Sequence, residues 1–318
     1  MNDLKPKVSI IGCGNVGMRY AYALTISGIA RQIVIVDIDR NRLEGEVMDL
    51  SHGAPYISPV EIIAGDYPDL EGSDLVVITI GKKQKPGQTR LELVKDNIDI
   101  YRNMIPQIVK YAPSAIFLVV SNPVDVLSYA AHKFSSKPAS EILGSGTVLD
   151  SARFRYLLSK HCRIDSRNIH AYILGEHGDS EFPVWSNATI GGVLLKNYCT
   201  VFCSDRTCKG MDELNGIFSE VRDSAYKIIE KKQETSYGIG LSLVRITQAI
   251  IHNENAILPV SSLVNNYLGI DDVYLSLPTV VNKKGVREIL KLELSTAEQE
   301  ALKNSANVIK NVIKNAGL

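Results

Sequence analysis

Short apolar, β-branched runs punctuate the first half of the chain, at residues 8–11, 33–36, 60–64, 75–80, 115–120 and 142–143. Helix-like stretches lie between most of them, at 16–27, 40–51, 91–111 and 124–134. Continuous apolar strands separated by helices predict a parallel sheet covered on both faces. Six such strands fit a doubly wound α/β domain. The second half has another rhythm. Strands are expected at 169–174 and 188–195, followed by one helical stretch over 211–252 with a break or kink at Gly238 and Gly240. Further strands are expected at 257–264 and 273–281. A last amphipathic helix is expected over 296–315, with Ser295 as its N-cap and Glu298 three residues later. This pattern describes an α+β second domain. The boundary falls near 144–146, so that residues 1–145 and 146–318 form the two units. No internal repeat, low-complexity tract or long linker is visible.

Composition removes several classes of function. With 318 residues, 45% apolar and 22% charged, the chain can bury a sizeable core. Its 35 basic and 35 acidic residues balance, which leaves no electrostatic case for nucleic acid or an anionic membrane as partner. The five cysteines are irregularly spaced and read as reduced thiols of a cytosolic protein. Cys199, Cys203 and Cys208 follow C-x3-C-x4-C, which matches no zinc pattern, and no metal is expected. The run at 75–80 falls far short of the ~18 residues of a membrane span. The run at 8–11 is too brief for a signal-peptide core, and a cytoplasmic location is expected.

The candidate chemistry begins at Gly12-Cys13-Gly14-Asn15-Val16-Gly17. This G-x-G-x-x-G follows the first strand and opens the first helix, and Asp37 stands at the end of the second strand. Together they form a dinucleotide fingerprint. Gly12 allows the tight turn, Gly14 lets the backbone approach a pyrophosphate, and Gly17 lets helix pack on strand. The pyrophosphate would meet free N–H groups and the positive end of the helix dipole, with Val16 in the same turn. Asp37 can accept hydrogen bonds from a ribose and would repel a 2′-phosphate, which favours NAD over NADP. Cys13 reads as a small filler within this loop.

Three more segments carry polar residues at strand ends. Leu174-Gly175-Glu176-His177-Gly178-Asp179-Ser180 places a histidine between glycines. Gly146-Thr147-Val148-Leu149-Asp150-Ser151-Ala152-Arg153-Phe154-Arg155 puts Asp150 and Arg153 three apart, on one helix face. Gln84-Lys85-Pro86-Gly87-Gln88-Thr89-Arg90 is a polar loop after the fourth strand, where ligands bind in such sheets. With Met48-Asp49-Leu50-Ser51-His52-Gly53, Ser121-Asn122-Pro123 and Thr235, these segments run in the order of the L-lactate and L-malate dehydrogenases. The chain resembles that family over almost its entire length.

The resemblance implies a Rossmann-type NAD-binding domain, a catalytic domain and a set of roles. His177 would donate and accept the proton, because an imidazolium can neutralise the oxyanion left when hydride reaches a ketone carbon. Asp150 would orient the ring and favour its charged form. Arg153 would hold the substrate carboxylate through a two-pronged contact. Arg90 would arrive on loop closure and polarise the carbonyl. Asn122 would bond near the nicotinamide and the substrate oxygen, and Thr235 would line the pocket.

Gln84 implies which acid is used. Malate-specific members carry arginine at the matching position, which pairs the second carboxylate of oxaloacetate. Closing a neutral amide over that carboxylate would bury an unpaired charge, at ~3–5 kcal/mol, or roughly two to three and a half decades in kcat/KM. Pyruvate, and so L-lactate, is expected, with larger 2-oxo acids as the main competitor. Lys83 and Lys85 flank the position, and their ammonium groups should stay in solvent. Gln88 departs from the acidic residue common there.

The resemblance also implies an effector. Family members that respond to fructose 1,6-bisphosphate use an arginine two residues after the carboxylate-binding arginine and a histidine seven before the catalytic one. Here these are Arg155 and His170. A homotetramer is implied by the same likeness. The other class considered is an NAD-binding sensor without catalysis, which the presence of His177, Asp150, Arg153 and Arg90 disfavours.

Overall fold

The computed structural model describes residues 6–82, 89–202 and 211–318. Its first half alternates strand and helix: β1 (Lys7–Ile11), α1 (Asn15–Ser27), β2 (Gln32–Val36), α2 (Arg40–His52), β3 (Glu61–Gly65), β4 (Leu75–Ile78), α3 (Arg90–Tyr111), β5 (Ile116–Val119), α4 (Val124–Ser135) and β6 (Ile142–Gly144). These strands pair in parallel in the order β3-β2-β1-β4-β5-β6. This is the doubly wound, Rossmann-type arrangement. Both faces are covered, and alternate residues of each strand enter opposite cores. Ile11, Val34, Val36, Val76 and Ile78 face the core that also holds residues of α3 and α4. Val8, Ile10, Ile33, Ile35, Leu75 and Val77 face the core with α1 and α2. The strands read as unbroken apolar runs for that reason.

The second half consists of α5 (Val148–Cys162), β7 (Ile169–His170), β8 (Ile173–Leu174), β9 (Phe182–Pro183), β10 (Thr189–Ile190), β11 (Val193–Leu194), α6 (Leu195–Phe202), α7 (Met211–Lys232), α8 (Tyr237–Ile251), β12 (Ala256–Val264), β13 (Val273–Asn282), β14 (Gly285–Ile289) and α9 (Thr296–Ala316). β12 lies antiparallel beside β6, and β13 and β14 follow it, so the sheet has nine strands. Helix α9 carries the capping box its sequence suggests: the Ser295 backbone N–H donates to Glu298 Oε2 at 2.8 Å, and the Ser295 hydroxyl oxygen accepts from the Glu298 N–H. Thr89 and Glu92 cap α3 in the same way. Among the described residues, no helix is long and apolar enough to cross a membrane.

Three local expectations change. The run at 169–174 is split, because β7 pairs with β10 while β8 pairs with β9. The run at 188–195 folds back on itself at Gly191 and Gly192, both at positive φ, and gives the β10–β11 pair. The helix of 211–252 breaks at 233–236, ahead of Gly238 and Gly240. Those glycines serve packing inside α8. A Cβ on Gly240 would lie 3.1 Å from the Arg19 carbonyl oxygen of α1, and one on Gly238 would lie 3.0 Å from Leu149 Cδ1.

Candidate active site

The glycine loop links β1 to α1 at the carboxyl edge of the parallel strands. Gly12 has φ +113°, and a Cβ there would lie 2.7 Å from Thr79 Oγ1. The Thr79 hydroxyl donates to the Ile11 and Gly12 carbonyls, tying the end of β4 to the turn. A Cβ on Gly17 would fall 2.0 Å from the Gly12 carbonyl oxygen, so only glycine lets α1 start here. Gly14 is the N-cap of α1, and no side-chain cap bonds to the helix start. A Cβ on Gly14 would meet nothing within 4 Å, which leaves open space in front of the free N–H groups. That cradle fits a dinucleotide pyrophosphate. Half-buried Val16 lies in the first turn.

Asp37 follows β2 and braces the same loop. Its carboxylate accepts the Cys13 N–H at 2.7 Å and the Asp39 N–H at 3.0 Å. Burial alone would raise its proton affinity, but these donors hold it below the usual carboxylate range. The group is therefore anionic at the position where a ribose edge or a 2′-phosphate would arrive.

The second cluster forms where α5 meets the turn after β8. His177 Nδ1 lies 2.7 Å from Asp150 Oδ2, and Arg153 Nη1 donates to Asp150 Oδ1 at 2.8 Å. The expected three-residue spacing on α5 thus places both partners on one carboxylate. The Asp150 side chain is only 5% exposed while that of His177 keeps 27%, so the ring can still meet a ligand. Burial opposes ionisation of both groups. The contact between them prevails, holding Asp150 below its ordinary range and raising His177 to about 9. An imidazolium results, with Nδ1 engaged and Nε2 left for chemistry.

Two buried acids of this cluster were not singled out in the sequence. Asp125, in the first turn of α4, accepts the His177 backbone N–H at 2.8 Å and the Ser261 hydroxyl of β12 at 2.5 Å. Burial pushes it up to about 6, with those two donors opposing. Glu181 lies between His177 and β9. Burial, then the Asp150 charge, push it up to about 8 against the pull of His177 and Arg153. A signal for Asp125 was near, since it lies two residues after the Ser121-Asn122-Pro123 segment; its partner lies 52 positions away and gives no local pattern.

The remaining candidates sit as follows. Asn122 is exposed just after β5, and its backbone carbonyl accepts from Asn97 Nδ2 at 3.3 Å. Thr235 lies half-buried in the break between α7 and α8. Arg90 opens α3, the helix capped by Thr89. Gln84 lies outside the described residues, as do Lys83, Lys85, Gln88, Cys203 and Cys208. Arg155 is half-buried on α5, its Nε donating to the Ser151 carbonyl at 3.3 Å. His170 is exposed on β7, opposite Thr189.

Comparison with known proteins gives one family. Residues 6–144 match the lactate/malate dehydrogenase NAD-binding domain, and residues 147–317 match the lactate/malate dehydrogenase α/β C-terminal domain. An L-lactate dehydrogenase of Thermoanaerobacter sp. (strain X514) is 52% identical over 308 residues, covering 97% of this chain and 98% of that protein. L-lactate dehydrogenase 1 of Clostridium acetobutylicum is 49% identical over 304 residues, 96% of each chain. Among solved structures, a lactate dehydrogenase from a Medee basin deep-sea metagenome library superposes with TM-score 0.96 at 46% identity, covering 99% of both chains. The minor L-lactate dehydrogenase of Enterococcus mundtii superposes with TM-score 0.95 at 39% identity, again covering 99% of each.

Proposed function

The chain belongs to the lactate/malate dehydrogenase family and is an NAD-dependent oxidoreductase, and within that family we propose that it interconverts pyruvate and L-lactate. The observation that carries this reading is the His177–Asp150–Arg153 array, which offers a proton and a carboxylate clamp side by side. Bound NADH supplies the hydride that reduces the carbonyl carbon. The protein's own groups do the rest. Arg153 receives the substrate carboxylate on the guanidinium edge not committed to Asp150. His177, held through Nδ1, points Nε2 at the carbonyl oxygen and gives it the proton as charge develops there. Asp150 keeps the ring oriented and charged until that transfer. In the reverse direction neutral His177 takes the hydroxyl proton. Arg90 polarises the carbonyl, Asn122 bonds near the reacting oxygen, and Thr235 lines the pocket. Gly12, Gly14, Val16, Gly17, Asp37 and Asn122 would hold NAD.

The neutral amide of Gln84 and the L-lactate dehydrogenase names of the relatives support pyruvate over oxaloacetate. The test is kcat/KM with NADH for pyruvate, oxaloacetate and a branched 2-oxo acid. Equal efficiency with oxaloacetate would overturn the assignment.

The finer reading has fructose 1,6-bisphosphate activating the enzyme through Arg155 and His170. Their side chains belong to α5 and β7, which pack together, and a fork of guanidinium donors suits a phosphate. On the neighbouring strand, His170 adds an imidazole donor for a phosphate. A pyruvate saturation curve with and without the sugar bisphosphate checks this; unchanged half-saturation at both acidic and alkaline pH rejects it. The reading includes a cytoplasmic homotetramer divided into units 1–145 and 146–318. Exposed Tyr22, Ile26, Met48 and Tyr56 on and beside α1 and α2 support self-association, since such apolar surface marks protein contacts.

A further inference from the structure

The mechanism above gives no task to Glu181, a carboxylate beside the His177–Asp150 pair. Glu181 is 8% exposed. One of its oxygens, an Asp150 oxygen and a His177 ring nitrogen all lie within 4.8 Å of one another. The groups facing it are Asp150 and Arg153 from α5, and His177 and Glu176 from the turn after β8, with Asp125 of α4 beyond His177. Glu176 has its own partner, the Ser180 backbone N–H, and Asp125 holds Ser261 and the His177 backbone. Glu181 instead faces the positive charges of His177 and Arg153. A buried carboxylate in that position either stays protonated or acts on the nearest positive charge.

We propose that Glu181 is a positioning residue for the proton on His177, a second carboxylate that keeps the imidazole charged into more alkaline solution than Asp150 alone would. The inference rests on the acid–base role given to His177 above. Burial, then the Asp150 charge, raise Glu181 well above the usual carboxylate range, so it ionises only as solution becomes alkaline. The new negative charge then stands close to the ring and opposes its deprotonation. The range over which the enzyme can protonate a keto oxygen is thereby extended upward.

The test is the pH profile of kcat/KM for pyruvate reduction at saturating NADH, for wild type, Glu181→Gln and Glu181→Asp. Each profile is normalised to its own plateau. In Glu181→Gln the alkaline limb is expected to fall about one pH unit earlier, while Glu181→Asp restores it toward wild type. A packing role would lower the rate at every pH and leave the limb in place, and that result overturns the inference. Should Glu181→Gln fail to fold, Glu181→Ser is read by NMR titration of the His177 ring in the NADH complex. The ring must then lose its proton at lower pH than in wild type, and an unmoved midpoint overturns the inference equally. His177→Asn separates the two readings. Wild-type turnover in that variant removes the acid–base assignment itself, whereas lost turnover combined with an unmoved limb in Glu181→Gln removes only the role of Glu181.

Discussion

The cofactor end and the substrate end of this molecule are assembled on different principles. The cofactor end is local in the sequence. Gly12, Gly14 and Gly17 lie within one turn, and Asp37 reaches back to Cys13 across 24 residues and a single strand pairing. Its requirements are steric: the 2.0 Å separation between a hypothetical Gly17 Cβ and the Gly12 carbonyl leaves no choice of residue. The substrate end is gathered from distance. His177 meets Asp150 across 27 positions and Asp125 across 52, and Asp125 meets Ser261 across 136. Its requirements are electrostatic, with buried carboxylates bearing on one imidazole. A backbone cradle tolerates little substitution but needs no tuned ionisation. A proton-transfer site depends on ionisation and therefore on every charge packed against it.

That contrast is broken most severely at His177. Replacing it with alanine should lower kcat by about a thousandfold, within the range typical of a lost general acid–base group. NADH affinity should hardly change, because the groups that grip the cofactor are elsewhere. A stopped-flow turnover measurement paired with an NADH fluorescence titration checks both halves; substantial residual turnover would reassign the proton donor. A smaller effect is expected at Gln84. Gln84→Arg supplies the partner that a second carboxylate lacks, and should move the pyruvate-to-oxaloacetate ratio of kcat/KM by about a hundredfold toward oxaloacetate. An unmoved ratio would place substrate selection elsewhere in the pocket.

The difference between the two ends also governs how much could be read from the sequence. Strands β1, β2, β4 and β5 were legible because burial on both faces demands continuous apolar runs, and the glycine fingerprint because its parts are adjacent. The pairing of Asp150 with Arg153 followed from helix periodicity. Its convergence on His177 came only from the likeness to a family. Glu181 escaped because Asp150 and Arg153 are brought to it by α5. Gly238 and Gly240 misled, since glycine marks both a break and a close approach, and here it lets α8 press against Arg19 and Leu149. The true break at 233–236 carries Gln233 at φ 62°, a residue type with no such signature. The two-residue strands β7 to β11 are too short to impose a pattern.

The mildest prediction concerns Asp37, where one side chain holds both the loop and, on the proposed reading, the ribose. Its carboxylate accepts two backbone N–H groups, from Cys13 and Asp39, at 2.7 and 3.0 Å. Asp37→Ala removes these charge-assisted bonds, each worth about 1.5–3 kcal/mol, together with the acceptor for the ribose. Much of that loss can be recovered from water at this half-buried edge, so NADH affinity should fall by about tenfold. Removing the negative charge also removes the repulsion of a 2′-phosphate, and NADPH should weaken less than NADH or improve. Asp37→Asn sharpens the result, because its amide oxygen can still accept the Cys13 N–H while the charge is gone. If the charge selects the cofactor, the asparagine variant keeps a stable loop and loses discrimination between NADH and NADPH. If Asp37 serves only as a brace, the asparagine variant retains wild-type discrimination and the alanine variant weakens both cofactors equally. Parallel fluorescence titrations with the two cofactors decide between these outcomes.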